Sequence, residues 1–176
     1  MYPFIRMVKE LVVHSRAGSL PVEGVHVSRH ICWPWDLDLW LELNNGRTLT
    51  LFDLGRIPLG RRTGLVRAIR ANGWGLTVAG VSMRYRRRIR VFDRIEMRSR
   101  TIGWDNRFLY LEQSMWKKGE ATTHGLYRVA VTSREGIVPP PKVAEQMGHG
   151  PASPPLPDWV QHWITAEAER PWPPQM

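Results

Sequence analysis

The spacing of hydrophobic residues changes along the chain, and each change predicts a different element of structure. Near the N-terminus, Phe4, Val8, Leu11 and Val12 recur at helical spacing. This spacing predicts a leading helix within residues 1–20 that packs its apolar side on the body of the domain. A helix that lies on a membrane surface is the less favoured alternative.

A strand follows in residues 24–32, whose sequence GVHVSRHIC alternates with a period of two. His26 and His30 fall on one side of this strand, opposite Val25 and Val27. Because no third ligand stands nearby at the spacing of a metal site, we expect no metal here and predict that both histidines lie at the surface. The next segment, WPWDLDLW, breaks the alternation and is predicted to be a loop.

A helical pattern begins after this loop, at a pair of asparagines. Asn44 or Asn45 can cap the first turn of the helix. The helix is expected to end or kink near Pro58 and Gly60, because proline lacks the N–H that an α-helix needs. The sequence TGLVRAIRANG then predicts a second, shorter helix, closed by the Asn-Gly at its end.

Strands dominate from there to about residue 134. Four alternating segments are separated by turn-like breaks: LTVAGVSMRYRRRI, RIEMRSRTI, RFLYLEQSMWKKG and THGLYRVAVTS. Such a series is typical of an antiparallel meander. One strand, a long helix and then several strands predict an α+β fold in which the helix packs against an antiparallel sheet.

The C-terminal extension, residues 136–176, has a different composition. Seven of the fourteen prolines fall in residues 151–176, so GPASPPLP is expected to form a stiff connector. A short helix is predicted near 158–169, because Asp158 and Gln161 have the spacing of a capping box. Two tryptophans one turn apart in this helix are expected to dock it on its own domain or on a partner subunit.

The charge of the chain favours an anionic partner without naming one. The formal net charge is +9, from 25 Lys and Arg less 16 Asp and Glu. An excess of this size favours binding to anions and also keeps a protein in solution. Charge alone does not choose between these two explanations.

The cysteine content and the N-terminus bear on the compartment. Cys32 is the single cysteine, which rules out an intramolecular disulfide and favours a reducing compartment. Arg6, Lys9 and Glu10 interrupt what a secretory signal would keep apolar. With no apolar run near the ~20 residues of a membrane span, we predict a cytoplasmic protein.

Carboxylates gather in residues 36–56, DLDLWLELNNGRTLTLFDLGR, around an Asn-Asn-Gly. The spacing D-x5-NN-G-R-x-L-x3-D-x2-R, followed by RYRRRI, FDRIEMRSR and GWDNRFLYLEQ, resembles the hot-dog-fold thioesterases of the 4-hydroxybenzoyl-CoA thioesterase type. The later segments are especially similar to the group of thioesterase superfamily member six and its bacterial relatives. The resemblance spans roughly residues 24–134.

The resemblance implies a hot-dog domain at residues 21–135, in which an antiparallel sheet wraps a long central helix. It also implies a homodimer or a dimer of dimers with active sites at the subunit boundary, and acyl-CoA as substrate. Coenzyme A enters as part of that substrate, and no separate cofactor is implied. Asp38 occupies the family's catalytic position, the Asn45 amide its polarising position, and Asp53 the place of a helix carboxylate on the opposite side of the site.

The chain departs from the family's pattern at three positions. Glu42 stands where relatives usually have histidine, Thr48 where they have tyrosine, and Arg88 where they have proline. Glu42 can replace the histidine as a polar positioner, or it can be a favourable negative charge in the first helical turn. The alternative function is therefore a non-catalytic hot-dog protein that binds acyl thioesters or a protein partner.

Thioester hydrolysis needs an attacking group and a donor for the developing oxyanion. The first N–H groups of a helix have no partner within it, so the Asn45 amide can be that donor. Asp38, on the preceding loop, can act as general base on a water or attack the carbonyl directly. A loop aspartate that caps the following helix is the structural alternative for Asp38, and an ion pair with Arg56 is the alternative for Asp53.

The surplus positive charge is densest in RYRRRIR. On a strand, Arg84, Arg86, Arg88 and Arg90 would share one face, with Tyr85 on the other. Guanidinium groups bind phosphate bidentately, so these arginines are predicted to hold the phosphates of coenzyme A. A solvated strand face is the alternative. Nucleic acid is not expected as a partner, since no stacking aromatics alternate with the arginines.

Overall fold

A computed structural model describes residues 2–175, in which a long helix packs against one face of a curved antiparallel sheet. The helices are α1 (Phe4–Val13), α2 (Asn45–Arg62), α3 (Leu65–Asn72), α4 (Pro140–Gln146) and α5 (Asp158–Glu169), and the strands are β1 (His26–Ile31), β2 (Gly75–Tyr85), β3 (Arg94–Trp104), β4 (Leu109–Lys117), β5 (Glu120–Ser133) and β6 (Gly136–Val138). This architecture confirms the α+β hot-dog fold. Within residues 2–175, no helix combines the length and the hydropathy that crossing a membrane requires.

The order of strands in the sheet is β1-β3-β4-β5-β2, with the short β6 also paired to β5. β3, β4 and β5 form the expected meander. The prediction is wrong for β2, which pairs with β5 and therefore lies at the edge opposite β1. Alternation along a segment indicates that it is a strand, but it does not identify the neighbouring strand.

The central helix α2 continues through Pro58 and Gly60 and ends at Arg62, two residues later than the expected end. Both residues are buried in the body of the helix, where packing compensates for the N–H that proline lacks. Gly55 allows the helix to approach β3 closely, because an added Cβ would lie 2.8 Å from Met97 Sδ. The second helix, α3, is confirmed, and it ends at Gly73 with φ 64°.

Helix α1 packs on the body of the domain as predicted, with Leu11 partly buried against the core, but the other three residues of the predicted apolar side face solvent. Met7 and Glu10 are buried, whereas Phe4, Val8 and Val12 are 69%, 60% and 66% exposed. The inward side carries Met7 and Leu11 together with Arg6 and Glu10, and the free edge of β1 offers unpaired carbonyls to its polar groups. The Arg6 guanidinium donates to one of them, that of Ile31, at 2.8 Å.

The histidines of β1 are buried, so the prediction of surface histidines is wrong. His26 and His30 are 0% and 5% exposed, and the valines on the other side face solvent. The His30 ring contacts Ser28 Oγ at 2.8 Å, and its other nitrogen lies 3.7 Å from the Glu10 carboxylate of α1. Burial lowers the pKa of His26 to about 4 and that of His30 to about 3. Both rings are therefore neutral at pH 7.

Helix α5 docks on its own domain, which answers the question left open by its tryptophans. Val160 is fully buried, and the Trp163 ring packs edge-on against Tyr110 with centroids 6.4 Å apart. The predicted capping box does not form. Asp158 makes no capping hydrogen bond, and the Gln161 side chain donates instead to the Leu156 carbonyl at 2.9 Å.

Candidate active site

The start of α2 presents unpaired backbone N–H groups. Asn44 is the N-cap, and its side-chain oxygen accepts from the Arg47 N–H at 2.9 Å. Asn45 is the first helical residue, and no hydrogen bond within residues 2–175 engages its N–H. The Tyr85 hydroxyl, at the end of β2, donates to the Asn45 carbonyl at 3.4 Å. The helix start therefore offers a free donor reinforced by the helix dipole.

Asp38 organises a tight turn just before this helix start. Its Oδ1 accepts from the Trp40 N–H at 2.9 Å and, at 3.4 Å, from the Glu42 N–H. The Asp38 N–H in turn donates to the Glu42 carbonyl at 2.9 Å. The side chain is half-buried, and no hydrogen bond within the described chain occupies Oδ2. One oxygen thus holds the turn and the other is available, while the capping of α2 belongs to Asn44.

Asp36, two residues earlier, lies in the opposite surroundings. It is fully buried, with Arg6 Nη1 2.7 Å from Oδ2 and Arg47 Nε 2.7 Å from Oδ1. Burial alone would raise the pKa of this carboxyl, but hydrogen bonds from Arg47, the Trp33 amide and Arg6 outweigh it and hold the pKa below its usual range. Sequence reasoning gave Asp36 no role. The signal in the sequence that could have indicated its role was its spacing of two residues from Asp38 in the same loop.

Glu42 and Arg88 contact each other, although they stand far apart in the sequence. The Arg88 Nε lies 3.0 Å from Glu42 Oε2. Two of the three departures from the family's pattern are therefore partners in one ion pair. Glu42 precedes the N-cap of α2, so its interpretation as a first-turn helical charge is wrong. Thr48, the third departure, is buried and donates to the Asn44 carbonyl at 3.1 Å.

Asp53 forms an ion pair with Arg56, one turn later on α2. The Arg56 guanidinium also lies over the Tyr127 ring, 4.3 Å from its centroid, and donates to Gln113 at 3.3 Å. Eight residues of helix place Asp53 roughly 12 Å along the axis from Asn45. Within a single chain, Asp38 and Glu42 are joined in one turn that precedes the α2 start at Asn45, and Asp53 lies apart from that helix start.

The arginine face predicted on β2 does not form, because the strand ends at Tyr85. The N–H groups of Arg86 and Arg87 both donate to the Thr122 carbonyl, at 2.8 and 3.1 Å, as the chain leaves the sheet. Arg84 is therefore the last arginine on the strand, and Arg86, Arg88 and Arg90 follow in a loop. All four side chains are exposed, so access to an anion is retained although the shared strand face is not.

A large open cleft of about 2120 Å³ lies beside this junction. Its walls come from the start of α1, the segment 33–37, the start of α2, and the β1 edge with its neighbours β3 and β4. Asn44 and Asp36 line it, whereas Asp38, Glu42, Asn45 and Asp53 do not. Within residues 2–175, no group of three or more His, Cys, Asp or Glu side chains is arranged to hold a metal ion.

A family model described as the thioesterase-like superfamily matches residues 32–164 of this chain. A relative named protein THEM6 from Xenopus laevis is 32% identical over 164 residues, which are 89% of this chain and 77% of the relative. Protein THEM6 from Danio rerio is 30% identical over 132 residues, 73% of this chain and 63% of the relative.

Solved structures share the fold at lower sequence identity. YbaW, a probable thioesterase from Escherichia coli, superposes with a TM-score of 0.64 at 16% identity, over 69% of this chain and 98% of its own. A thioesterase from Thermus thermophilus, crystallised with coenzyme A and Zn, superposes with a TM-score of 0.60 at 24% identity, over 69% of this chain and 96% of its own. At these identities the structural likeness establishes the fold and nothing further.

Proposed function

This chain belongs to the thioesterase-like superfamily, and from that premise we propose that it is an acyl-CoA thioesterase, which hydrolyses a thioester to a free acid and coenzyme A. One observation carries the proposal. At the junction between the 33–44 loop and α2, Asp38 keeps one carboxylate oxygen without a partner in the described chain, and Asn45 keeps an unpaired N–H. A carboxylate that can act as base or nucleophile, and a donor for the oxyanion, are what carbonyl attack requires.

The proposed chemistry divides between these two groups. The Asn45 N–H, with the dipole of α2 behind it, stabilises the oxyanion that forms when the carbonyl is attacked. Asp38 takes a proton from the attacking water, or adds directly to the carbonyl and gives an anhydride that water then hydrolyses. In either route the carbonyl–sulfur bond breaks and the coenzyme A thiol leaves. The turn that fixes Oδ1 of Asp38 holds the other oxygen in place for this step.

Glu42 and Asp53 have supporting roles in this proposal. Glu42, in its ion pair with Arg88, braces the turn that carries Asp38. Asp53 acts as an auxiliary carboxylate only when a second chain completes the site, because it lies roughly 12 Å along α2 from the helix start. A homodimer, or a dimer of dimers, therefore belongs to the proposal, and a cytoplasmic location stays a prediction.

The edge strand β2 supports such a dimer. Its residues are exposed on both faces, including Leu76 at 44%, Val78 at 45% and Val81 at 37%. A long edge strand with exposed apolar side chains is a template for pairing with another chain. Joining two copies through β2 would bury these residues and extend the sheet.

Coenzyme A carries a 3′-phosphate and a diphosphate, which need cationic partners. The structure offers two sets of cations. Arg84, Arg86 and Arg88 remain candidates near the end of β2, although Arg88 already pairs with Glu42. The second set lines the cleft beside α1.

Thiol release from a panel of acyl-CoA thioesters tests the proposal, with wild type and Asp38→Asn compared at steady state. Loss of one catalytic group typically costs ~3 kcal/mol of transition-state stabilisation, or about 100-fold in turnover. Asparagine keeps the side-chain oxygen that accepts from Trp40, so the turn should persist. Circular dichroism confirms that the variant is folded. Turnover equal to wild type would remove Asp38 from the mechanism.

The second candidate function is a non-catalytic protein that binds acyl thioesters. The observation that favours it is the Glu42–Arg88 ion pair, which occupies two positions where relatives have other residues. Calorimetric binding of acyl-CoA with no thiol released over hours would decide for this function.

A further inference from the structure

The cleft beside α1 contains a cationic surface built by strand register. Glu96 of β3 stands opposite Arg29 of β1 and opposite Trp116 of β4. Arg94 and Arg98 lie two residues to either side of Glu96, so their side chains project from the same face of β3. Three arginines thus surround one glutamate on the face of the sheet away from α2.

Most of this positive charge is not neutralised. Glu96 pairs with Arg98 at 2.8 Å, and the Arg98 guanidinium lies over the Trp116 ring, 4.2 Å from its centroid. Arg29, Arg94 and Lys118 form no ion pair with any other residue in the range 2–175. Several cations that line one cleft without an ion-pair partner are an arrangement that a polyanion stabilises.

The cleft also offers aromatic surface. The Trp33 and Trp35 rings are stacked, with centroids 5.4 Å apart and planes 10° from parallel. Trp35 is 69% exposed, so the face of its ring away from Trp33 is open to a further planar group. Purine bases stack on exposed indole rings of this kind.

Helix α1 forms one wall of the cleft and lies outside the residues that match the family, 32–164. Phe4 and Ile5 line the wall, and Arg6 and Lys9 hold the helix against β1 by donating to backbone carbonyls at 2.8 and 3.4 Å. The cleft therefore depends on a segment outside the range that the family model matches.

We propose that this cleft binds the adenosine 3′,5′-bisphosphate end of the acyl-CoA substrate, with phosphates at Arg29, Arg94 and Lys118 and the adenine on Trp35. The proposal rests on the proposed thioesterase function. Because Asn44 also lines the cleft, the pantetheine arm can run from it to the Asn45 N–H. The phosphates then bind here rather than at Arg84 and Arg86.

Calorimetric titration with adenosine 3′,5′-bisphosphate tests the site without requiring hydrolysis. We expect the triple variant Arg29→Ala/Arg94→Ala/Lys118→Ala to weaken the Kd at least tenfold. The matched variant Arg84→Ala/Arg86→Ala/Arg90→Ala removes the same number of exposed positive charges and should change the Kd less than threefold. Equal losses in the two variants, or the larger loss at Arg84, Arg86 and Arg90, would overturn the proposal.

A second measurement addresses the aromatic half of the site. Trp35→Ala should weaken binding of the bisphosphate about tenfold while leaving binding of inorganic pyrophosphate within twofold, because only the first ligand carries a base. The exposed Trp40, which does not line the cleft, supplies the control variant Trp40→Ala. An equal effect of both tryptophan variants on the bisphosphate would contradict the stacking role.

Two further outcomes separate this proposal from its neighbours. Wild type that binds the bisphosphate but hydrolyses no thioester would support the cleft and reject the enzyme. Active wild type whose cleft variant binds the bisphosphate unchanged would reject the cleft alone.

Phosphatidylglycerol vesicles test whether the cleft binds a lipid phosphate instead. Vesicle binding that the cleft variant loses, with no binding of the bisphosphate, would overturn the proposal in favour of a lipid headgroup.

Discussion

Asp36 and Asp38 stand two residues apart in the loop before α2, yet their carboxylates differ in burial and in hydrogen-bond partners. Asp36 is fully buried, and Arg6 and Arg47 pair with its two oxygens at 2.7 Å. Asp38 is half-buried and accepts only backbone N–H groups, all of them on one oxygen. Asp36 is thus committed to structure, whereas Asp38 keeps one oxygen without a partner in the described chain, as its proposed catalytic role requires.

The difference follows from what each half of the loop must join. Asp36 links three segments, because Arg6 lies on α1, Arg47 on α2 and the Trp33 amide in the loop itself. A buried carboxylate is tolerated only when it is paired in this way, and pairing removes its capacity to accept a proton near pH 7. Among residues 2–175, the hydrogen bonds of Asp38 stay within its own turn. Its second oxygen therefore remains available for chemistry.

The largest expected effect is on stability, from Asp36→Asn. Removing one partner of a buried ion pair leaves the others uncompensated, and we expect the free energy of unfolding to fall by roughly 3 kcal/mol. Asp38→Asn keeps its turn and should cost less than ~1 kcal/mol. Urea denaturation of both variants measures the difference. If Asp38→Asn were the more destabilised of the two, the assignment of the structural and reactive acids would be reversed.

The pH dependence of that difference sharpens the comparison. The pKa of Asp36 is lowered in the folded state, so its stabilising contribution is complete above the unfolded value of about 3.8 and is lost as the pH falls through the folded value. The stability gap between wild type and Asp36→Asn should therefore be constant from pH 7 to about 5 and narrow below pH 4.

The buried histidines supply an internal control for this experiment. Burial lowers the pKa of His26 to about 4 and that of His30 to about 3, from the ordinary 6.5. Both proteins should therefore lose stability together as the pH falls below 6.5, because the unfolded chain takes up protons first. Denaturation midpoints at a series of pH values separate this shared loss from the gap. A gap that widened on acidification would show that Asp36 is not the ionised partner.

The same contrast explains which parts of the fold were predictable from sequence. The positions of α2 and α3 follow from local signals, the capping Asn44 and the closing Gly73. The orientation of α1 does not, because it depends on which distant groups meet. Glu10 is buried with Lys9 Nζ 2.7 Å, His14 3.3 Å and His30 3.7 Å from its carboxylate, and no hydrophobic period records these contacts.

The candidate site divides along the same line. Asp38 and Asn45 lie in one short segment, so a motif could indicate both. The cleft is assembled from segments as far apart as Arg6 and Lys118, and spacing within one segment cannot reveal it. The prediction of an arginine face on β2 was wrong for a related reason. The sequence pattern continues past Tyr85, but the strand ends there.

A smaller effect is expected where Asp36 holds α1. Arg6→Met removes donors to Asp36 and to the Ile31 carbonyl while keeping the length of the side chain, and it should lower the free energy of unfolding by ~1–2 kcal/mol. Arg47 still pairs with Asp36, so the loss should be less than in Asp36→Asn. Amide hydrogen exchange should accelerate in α1 but not in α2. The exposed Arg16, just beyond α1, supplies the control Arg16→Met, and equal acceleration there would contradict the anchoring role.

The smallest effect is expected in the turn of Asp38 itself, where Leu41 adopts the left-handed φ of 58° and is 71% exposed. A leucine in that region costs ~1–2 kcal/mol relative to the right-handed one, whereas glycine loses ~0.5–1 kcal/mol more backbone entropy on folding. Leu41→Gly should therefore stabilise the protein by about 0.5 kcal/mol. Leu39→Gly, in the same turn at 93% exposure and without a positive φ, should destabilise it by a similar amount.

Turnover of the Leu41→Gly variant measures how much the strained turn contributes to the positioning of Asp38. Glycine permits the observed backbone but also many others, so Oδ1 of Asp38 would hold a looser turn and Oδ2 would be less well placed. A more stable protein with lower turnover would mean that the strain is part of how Asp38 is positioned. Unchanged turnover would mean that the hydrogen bonds to Trp40 and Glu42 suffice. In that case the rigidity of the Asp38 turn would come from the half of the loop that Asp36 anchors.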